Sequence, residues 1–263
     1  MDDTTRARIE RMHVLDKEGR YDELLACLEQ LYAEAEAAPA PSRPDYFMTM
    51  FQWSLLIEKY PPAAGALAVA RDEQVRRLLA GEPYTGTAPW TNERGRMFER
   101  VERIALIIEM NEMLRDARAT HVLFRQLEGQ QPELARQYAW RVLPAVVEVG
   151  DFALADRLRG DPLELLEPVR QTAREWPLFP PAGKAPRLSA ELMNLTREAG
   201  LGIATLRGLG RTEEADGLRT ALLAGLEGEL RAMAERELEE PGHINRGIVA
   251  HQMALEDAAR GRA

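Results

Sequence analysis

The sequence predicts an all-α protein, and three observations carry that expectation. Apolar residues recur at the helical period along most of the 263 residues, β-branched alternating runs are nearly absent, and short glycine-containing turns separate the periodic segments. Helices are expected over about 4–18, 21–38, 45–60, 63–80, 92–114, 117–128, 132–149, 151–158, 162–175, 187–208, 212–238 and 244–259. Most connections between them are a few residues long, as antiparallel neighbouring helices require.

Taken in order, the first two segments meet at "GRYDEL" (19–24), where Gly19 supplies the left-handed C-cap and Leu24 falls where the second helix packs on the first. The third, "DYFMTMFQWSLLIEKY" (45–60), holds an unusual share of the aromatic residues of a chain that is only 6% aromatic. On a helical wheel Tyr46, Met50, Trp53, Ile57 and Tyr60 form one line, and Phe47, Phe51 and Leu55 a second. An apolar arc of about half the helix predicts cover from two sides, with Tyr46 or Trp53 as the alternative floor of a ligand groove.

The connection "GEPYTGTAPWTN" (81–92) is Pro- and Gly-rich, and so is "WPLFPPAGKAPR" (176–187). They divide a single helical domain of residues 1–263 into blocks near 1–80, 93–175 and 188–263. Both carry large aromatics, Tyr84 and Trp90 in the first and Trp176 and Phe179 in the second. Aromatics on proline-stiffened loops either bind a partner at low entropic cost or fold back onto the core. The arginines of "ERVERIALIIE" (99–109) are spaced for surface pairing with glutamates. Asn111 and Asn194 lie within apolar helical runs, where asparagine is a poor helix former.

Capping chemistry marks three later starts. Asp161 with Pro162 and Glu164 in "DPLE" opens one helix, and Ser189 and Thr212 cap the segments they begin. In "AGLGIATLRGLG" (199–210), Gly200, Ala204 and Gly208 recur every fourth residue and make a smooth face for close helix approach. The turns "GDFALA" (150–155) and "GRTEEA" (210–215) repeat the pattern of 19–24, with Ala155 and Ala215 at the close-packing place.

The three turns resemble the intra-repeat turn of tetratricopeptide repeats (TPR). The resemblance implies antiparallel helix pairs stacked as a TPR-like right-handed α-solenoid with a concave binding surface. The turn glycines lie 131 and 60 residues apart, not multiples of the ~34-residue repeat, so the array is degenerate. In such domains, asparagines on inner helices hold the backbone of an extended peptide, a role the resemblance assigns to Asn111 and Asn194; the alternative is an interhelical bond inside the core or simple exposure.

Composition excludes several functions. A net charge of −9 and a pI near 5.2 oppose a phosphate backbone, so no nucleic acid is expected. Lysine occurs only at 17, 59 and 184, and this arginine bias with abundant Ala, Gly and Leu is that of a GC-rich bacterial coding sequence. Cys27 is the only cysteine, which leaves neither an internal disulfide nor a thiolate cluster. The N-terminus has no apolar leader and no segment is a membrane span, so a cytoplasmic location and no membrane partner are expected. No Gly-x-Ser-x-Gly turn, phosphate loop or His-Glu-x-x-His pair occurs. His243 and His251 stand too far apart along one helix to share a metal.

No catalytic residue, cofactor or metal is therefore expected. The sequence reads as a non-enzymatic protein- or peptide-binding adaptor or scaffold, with toxin neutralisation as one concrete form and a basic partner favoured by the acidic balance. Tyr84, Trp90, Asn111, Trp176, Phe179 and Asn194 are its candidate partner-binding residues. The alternative is a small-molecule or peptide receptor whose apolar cavity is lined by the 45–60 helix.

Overall fold

The computed structural model describes residues 3–41, 43–87 and 101–260, and among these the chain is all-α, with thirteen helices. It forms two compact units, Met1–Ala135 and Arg136–Ala263, divided inside a helix and at neither proline-rich connection.

The first unit contains α1 (Asp3–Lys17), α2 (Tyr21–Ala37), α3 (Arg43–Lys59), α4 (Pro62–Leu79), α5 (Arg103–Met113), α6 (Ala117–Gln130) and the start of α7 (Pro132–Glu148). From α1 to α6 each helix packs on the next in sequence. Leu15 of α1, Leu24 and Leu28 of α2, Met50 and Trp53 of α3, Leu67 of α4 and Met110 of α5 share one core. Each fully buried large apolar side chain contributes about 1.5–3 kcal/mol.

Helix α3 is covered on one side, where two were expected. Tyr46, Met50 and Trp53 are buried, whereas Phe47, Phe51 and Leu55 are 56%, 48% and 41% exposed. The Phe47 and Phe51 rings stack with centroids 6.4 Å apart and planes 12° from parallel. The outer line of α3 therefore stays largely open to solvent.

Of the segment expected as a helix over 92–114, residues 92–100 lie outside the described residues, and within the described part the helix starts at Arg103. Tyr84 and Glu102 pair in an isolated antiparallel bridge, Thr85 N–H donates to Val101 O at 3.0 Å, and Arg103 N–H donates to Pro83 O at 2.9 Å. These bonds hold Glu102 extended, so the helix cannot begin before Arg103.

The second unit contains the rest of α7 with α8 (Phe152–Leu158), α9 (Leu166–Thr172), α10 (Arg187–Gly208), α11 (Thr212–Ala224), α12 (Gly228–Glu239) and α13 (His243–Arg260). Here α10 is a hub that packs against α8, α9, α11, α12 and α13. Its buried residues Leu188, Leu192, Leu195, Ala199, Ile203 and Leu206 explain this, since a helix apolar around much of its circumference is central and not peripheral.

The three glycine turns form as expected. Gly19, Gly150 and Gly210 have φ of 69°, 81° and 75°. The following N–H of Arg20, Asp151 and Arg211 reaches back to Leu15, Val146 and Leu206 O at 3.0, 3.1 and 2.9 Å, closing a Schellman turn each time. Leu24, Ala155 and Ala215, at the close-packing place, are all buried.

The capping expectations are corrected. Asp161 accepts from Leu163 N–H at 2.9 Å and so forms a local turn, while α9 starts at Leu166 without a side-chain cap. Ser189 lies inside the first turn of α10, and its hydroxyl donates to Leu178 O of the preceding connection. Thr212 is already helical, preceded by Arg211, which offers no side-chain cap. Side-chain caps form at Asp116 on α6, which accepts from Ala119 N–H at 2.9 Å, and at Asp151 on α8, which accepts from Leu154 N–H at 3.1 Å.

The expected helix 212–238 is two helices. Gly225 presses against Leu166, and Gly228 takes φ of 52°, so the chain turns between α11 and α12. Of the smooth face of α10, Gly208 lies under the Phe152 ring of α8, and a Cβ on Gly200 would meet Leu238 of α12 at 3.8 Å.

Candidate functional site: a groove between two helices of the first unit

Two helical stripes face each other across the first unit. On α2, Glu29, Tyr32, Ala33 and Glu36 follow the i, i+3, i+4, i+7 pattern. On α4, Ala66, Val69, Ala70, Glu73, Gln74 and Arg77 do the same. Between them lies an open groove of about 340 Å³, with Trp53 of α3 reaching its floor. The small side chains Ala33, Ala66 and Ala70 create the space, since larger residues at those places would fill it.

Aromatic packing fixes the floor. The Tyr32 ring meets Trp53 edge-on at 6.1 Å and 84°, and meets Tyr46 at 5.9 Å and 68°. The Trp53 indole N–H donates to Ala63 O at 2.9 Å, which sets the ring's orientation.

Beneath one end of the groove lies a polar network. The Tyr46 hydroxyl donates to Glu36 Oε1 at 2.5 Å, and Arg77 donates to Glu36 Oε2 at 2.9 Å and to Glu82 Oε2 at 2.9 Å. Arg103, 0% exposed, donates to Gln74 Oε1 and lies 3.4 Å from both Glu36 and Glu82. Gln74 in turn donates to the Tyr32 hydroxyl at 2.6 Å. Two guanidinium groups thus meet two carboxylates, and the buried charge is matched.

Both tyrosines are held neutral well above their ordinary range. For Tyr46, burial acts first and the neighbouring Glu36 carboxylate adds to it. For Tyr32, burial again leads, followed by the charge of Glu36, against weaker opposing effects from Gln74 and the two arginines.

The residues singled out from the sequence occupy other places. Tyr84 is half-buried in the bridge to Glu102. Trp90 lies outside the described residues. Asn111 is 1% exposed; its amide donates to Thr120 Oγ1 at 3.0 Å and its carbonyl accepts from Arg71 at 2.6 Å. Its amide is therefore occupied inside the unit and turned to no solvent-facing surface. In the second unit, Trp176 is half-buried under the Arg187 guanidinium, 5.9 Å from the ring centroid. Phe179 is half-buried, 5.5 Å from the His251 ring and in contact range of Gly247. Both pack against the core of that unit. Asn194 is exposed on α10.

Sequence reasoning missed Tyr32, Gln74, Arg77 and Arg103, and took the arginines of 99–109 as surface pairs. For Arg103 that reading is corrected, because it is fully buried beneath α4 partners. The available signal was an arginine directly before the apolar run Ile104–Ile108. Among the described residues no helix is long and apolar enough to cross a membrane. Comparison with known proteins finds no matching family, no matching curated protein and no matching solved structure.

Proposed function

We propose that this chain is a non-enzymatic protein- or peptide-binding module of a bacterial cytoplasm, a degenerate TPR-like helical repeat in its first unit, and that the groove between α2 and α4 is its binding surface. The observation that carries the reading is an open groove whose aromatic floor is already oriented, by the Trp53 bond to Ala63 and the Gln74 bond to Tyr32. A surface ordered before the partner arrives avoids the entropic cost of ordering it on binding. Sequential packing from α1 to α6 and the Schellman turn between α1 and α2 support the repeat-like arrangement there.

The test is affinity capture from the native organism's lysate with wild type and with Ala70→Trp, a groove-filling variant at a half-buried wall position. A protein recovered near stoichiometry by the wild type and lost by the folded variant is the expected result. Equal recovery by both would move the binding surface elsewhere.

A small-molecule receptor is the second reading. It is favoured by the groove volume, which falls within the ~300–1,000 Å³ of small-ligand pockets, and by Trp53 on its floor. Native mass spectrometry of the purified protein showing a bound organic molecule, absent from Ala70→Trp, would select it.

A further inference from the structure

We infer that the α2–α4 groove receives a basic side chain, lysine or arginine, presented by a peptide segment of the partner; the inference rests on the peptide-binding reading above. The groove has two chemically distinct parts. Its walls are the methyl groups of Ala33, Ala66 and Ala70 and the exposed Val69, over the rings of Tyr32 and Trp53. Its rim carries the exposed Glu29 and Glu73, while Glu36 and Arg77 are half-buried at the end that lies over the polar network.

The charges are not equal in what they offer a ligand. Arg77 is already held by Glu36 and Glu82, each at 2.9 Å, so it neither repels an incoming cation strongly nor seeks an anion. Glu73 is shared with Arg76 at 2.6 Å in an exposed pair. Glu29 lines the groove, is exposed, and makes no ion pair with any described residue. An occupant must therefore bring an apolar stem for the alanine walls and a positive end for Glu29.

Lysine and arginine are the side chains built that way, with three or four methylenes below a charged head that stays near water. An acidic side chain would face the two rim carboxylates, and a purely apolar one would leave Glu29 uncompensated beside it. The chain's net charge of −9 works in the same direction during the encounter.

Three acetylated and amidated pentapeptides of sequence Ala-Leu-X-Leu-Ala, with X lysine, norleucine or glutamate, separate the contributions. Norleucine keeps the stem and lacks the ammonium group. Binding to the isotopically labelled full chain is followed by the Trp53 indole and the Ala66 and Ala70 amide resonances. The lysine peptide is expected to bind at least ~10-fold more tightly than the norleucine peptide at low salt, and the glutamate peptide more weakly than either. Glu29→Gln, at an exposed position, should remove most of the lysine advantage and leave norleucine binding in place, while Ala70→Leu should weaken all three. Norleucine binding as tightly as lysine, with both lost in Ala70→Leu, overturns the basic-side-chain inference and leaves the groove a peptide site. No perturbation of the groove resonances by any peptide overturns both. Lysine binding indifferent to Glu29→Gln and Ala70→Leu places the site elsewhere and overturns the inference.

Discussion

Tyr32 and Tyr46 make the stability of the first unit fall at alkaline pH. Both are buried, at 9% and 2% exposure, and both have pKa values raised in the folded state, chiefly by burial and then by Glu36. In the unfolded chain a tyrosine loses its proton near pH ~10, whereas the folded unit keeps these two hydroxyls protonated at higher pH. The unfolded state then binds fewer protons than the folded one, so stability is complete below pH ~10 and falls as pH rises beyond it. By pH ~11 each tyrosine removes about 1.4 kcal/mol, giving a loss of roughly 3 kcal/mol from the pair. Urea unfolding between pH ~8 and ~11, read by far-ultraviolet circular dichroism, measures this. Tyr46→Phe should be about 1–2 kcal/mol less stable at pH ~8, where it lacks the bond to Glu36, and this gap should shrink by about 1.4 kcal/mol at pH ~11, because the variant has one fewer proton to lose. A gap that stays constant across the range would refute the linkage between this hydroxyl and folding.

Two further substitutions probe the packing. Gly208→Leu places a side chain where the Phe152 ring already lies, and overpacking of this kind costs about 1–3 kcal/mol, read as a lowered melting temperature. An unchanged melting temperature would deny the close approach of α8 to α10, and adding Phe152→Ala should relieve part of the clash. Arg103→Met keeps the volume but withdraws the cation from Gln74, Glu36 and Glu82; a loss of about 2–4 kcal/mol is expected, reduced in the double variant with Glu36→Gln. An Arg103→Met protein as stable as the wild type would show that the matched charges do not hold this unit together.

Features decided within a few residues of chain were legible in the sequence. Gly19, Gly150 and Gly210 end helices because the left-handed C-cap is a local requirement, and all three take it. The inner line of α3 was legible for the same reason, since helical periodicity fixes which residues share a face. What decides how many faces are covered is tertiary, and so Phe47, Phe51 and Leu55 were misread as buried. The break between α11 and α12 had a local mark in Gly225 and the left-handed Gly228, whereas the close approach of Leu166 to Gly225, across 59 residues, is tertiary and lies outside any window on 212–238. The groove was hidden more thoroughly. Ala33, Ala66 and Ala70 are ordinary helix residues, and only the facing of α2 and α4 turns their small size into a volume.

Arg103 shows why the polar network and the groove belong together. Apolar contacts between α2 and α4 tolerate sliding, because burial is nearly indifferent to direction. Glu36 does not tolerate it: one carboxylate accepts from Tyr46 of α3 and Arg77 of α4 and faces Arg103 of α5, and each of these partners is on a different helix. Moving α4 by one turn along its axis, ~5.4 Å, would break the Arg77 bond, the Gln74 bond to Tyr32 and the Gln74 bond to Arg103 at once. The network therefore selects one register of α4 against α2. In that register Ala66 and Ala70 stand with Ala33 around the ring of Trp53 and keep the groove open. A core of leucines alone would hold the helices together, but it would not fix which small residues stand over the aromatic floor.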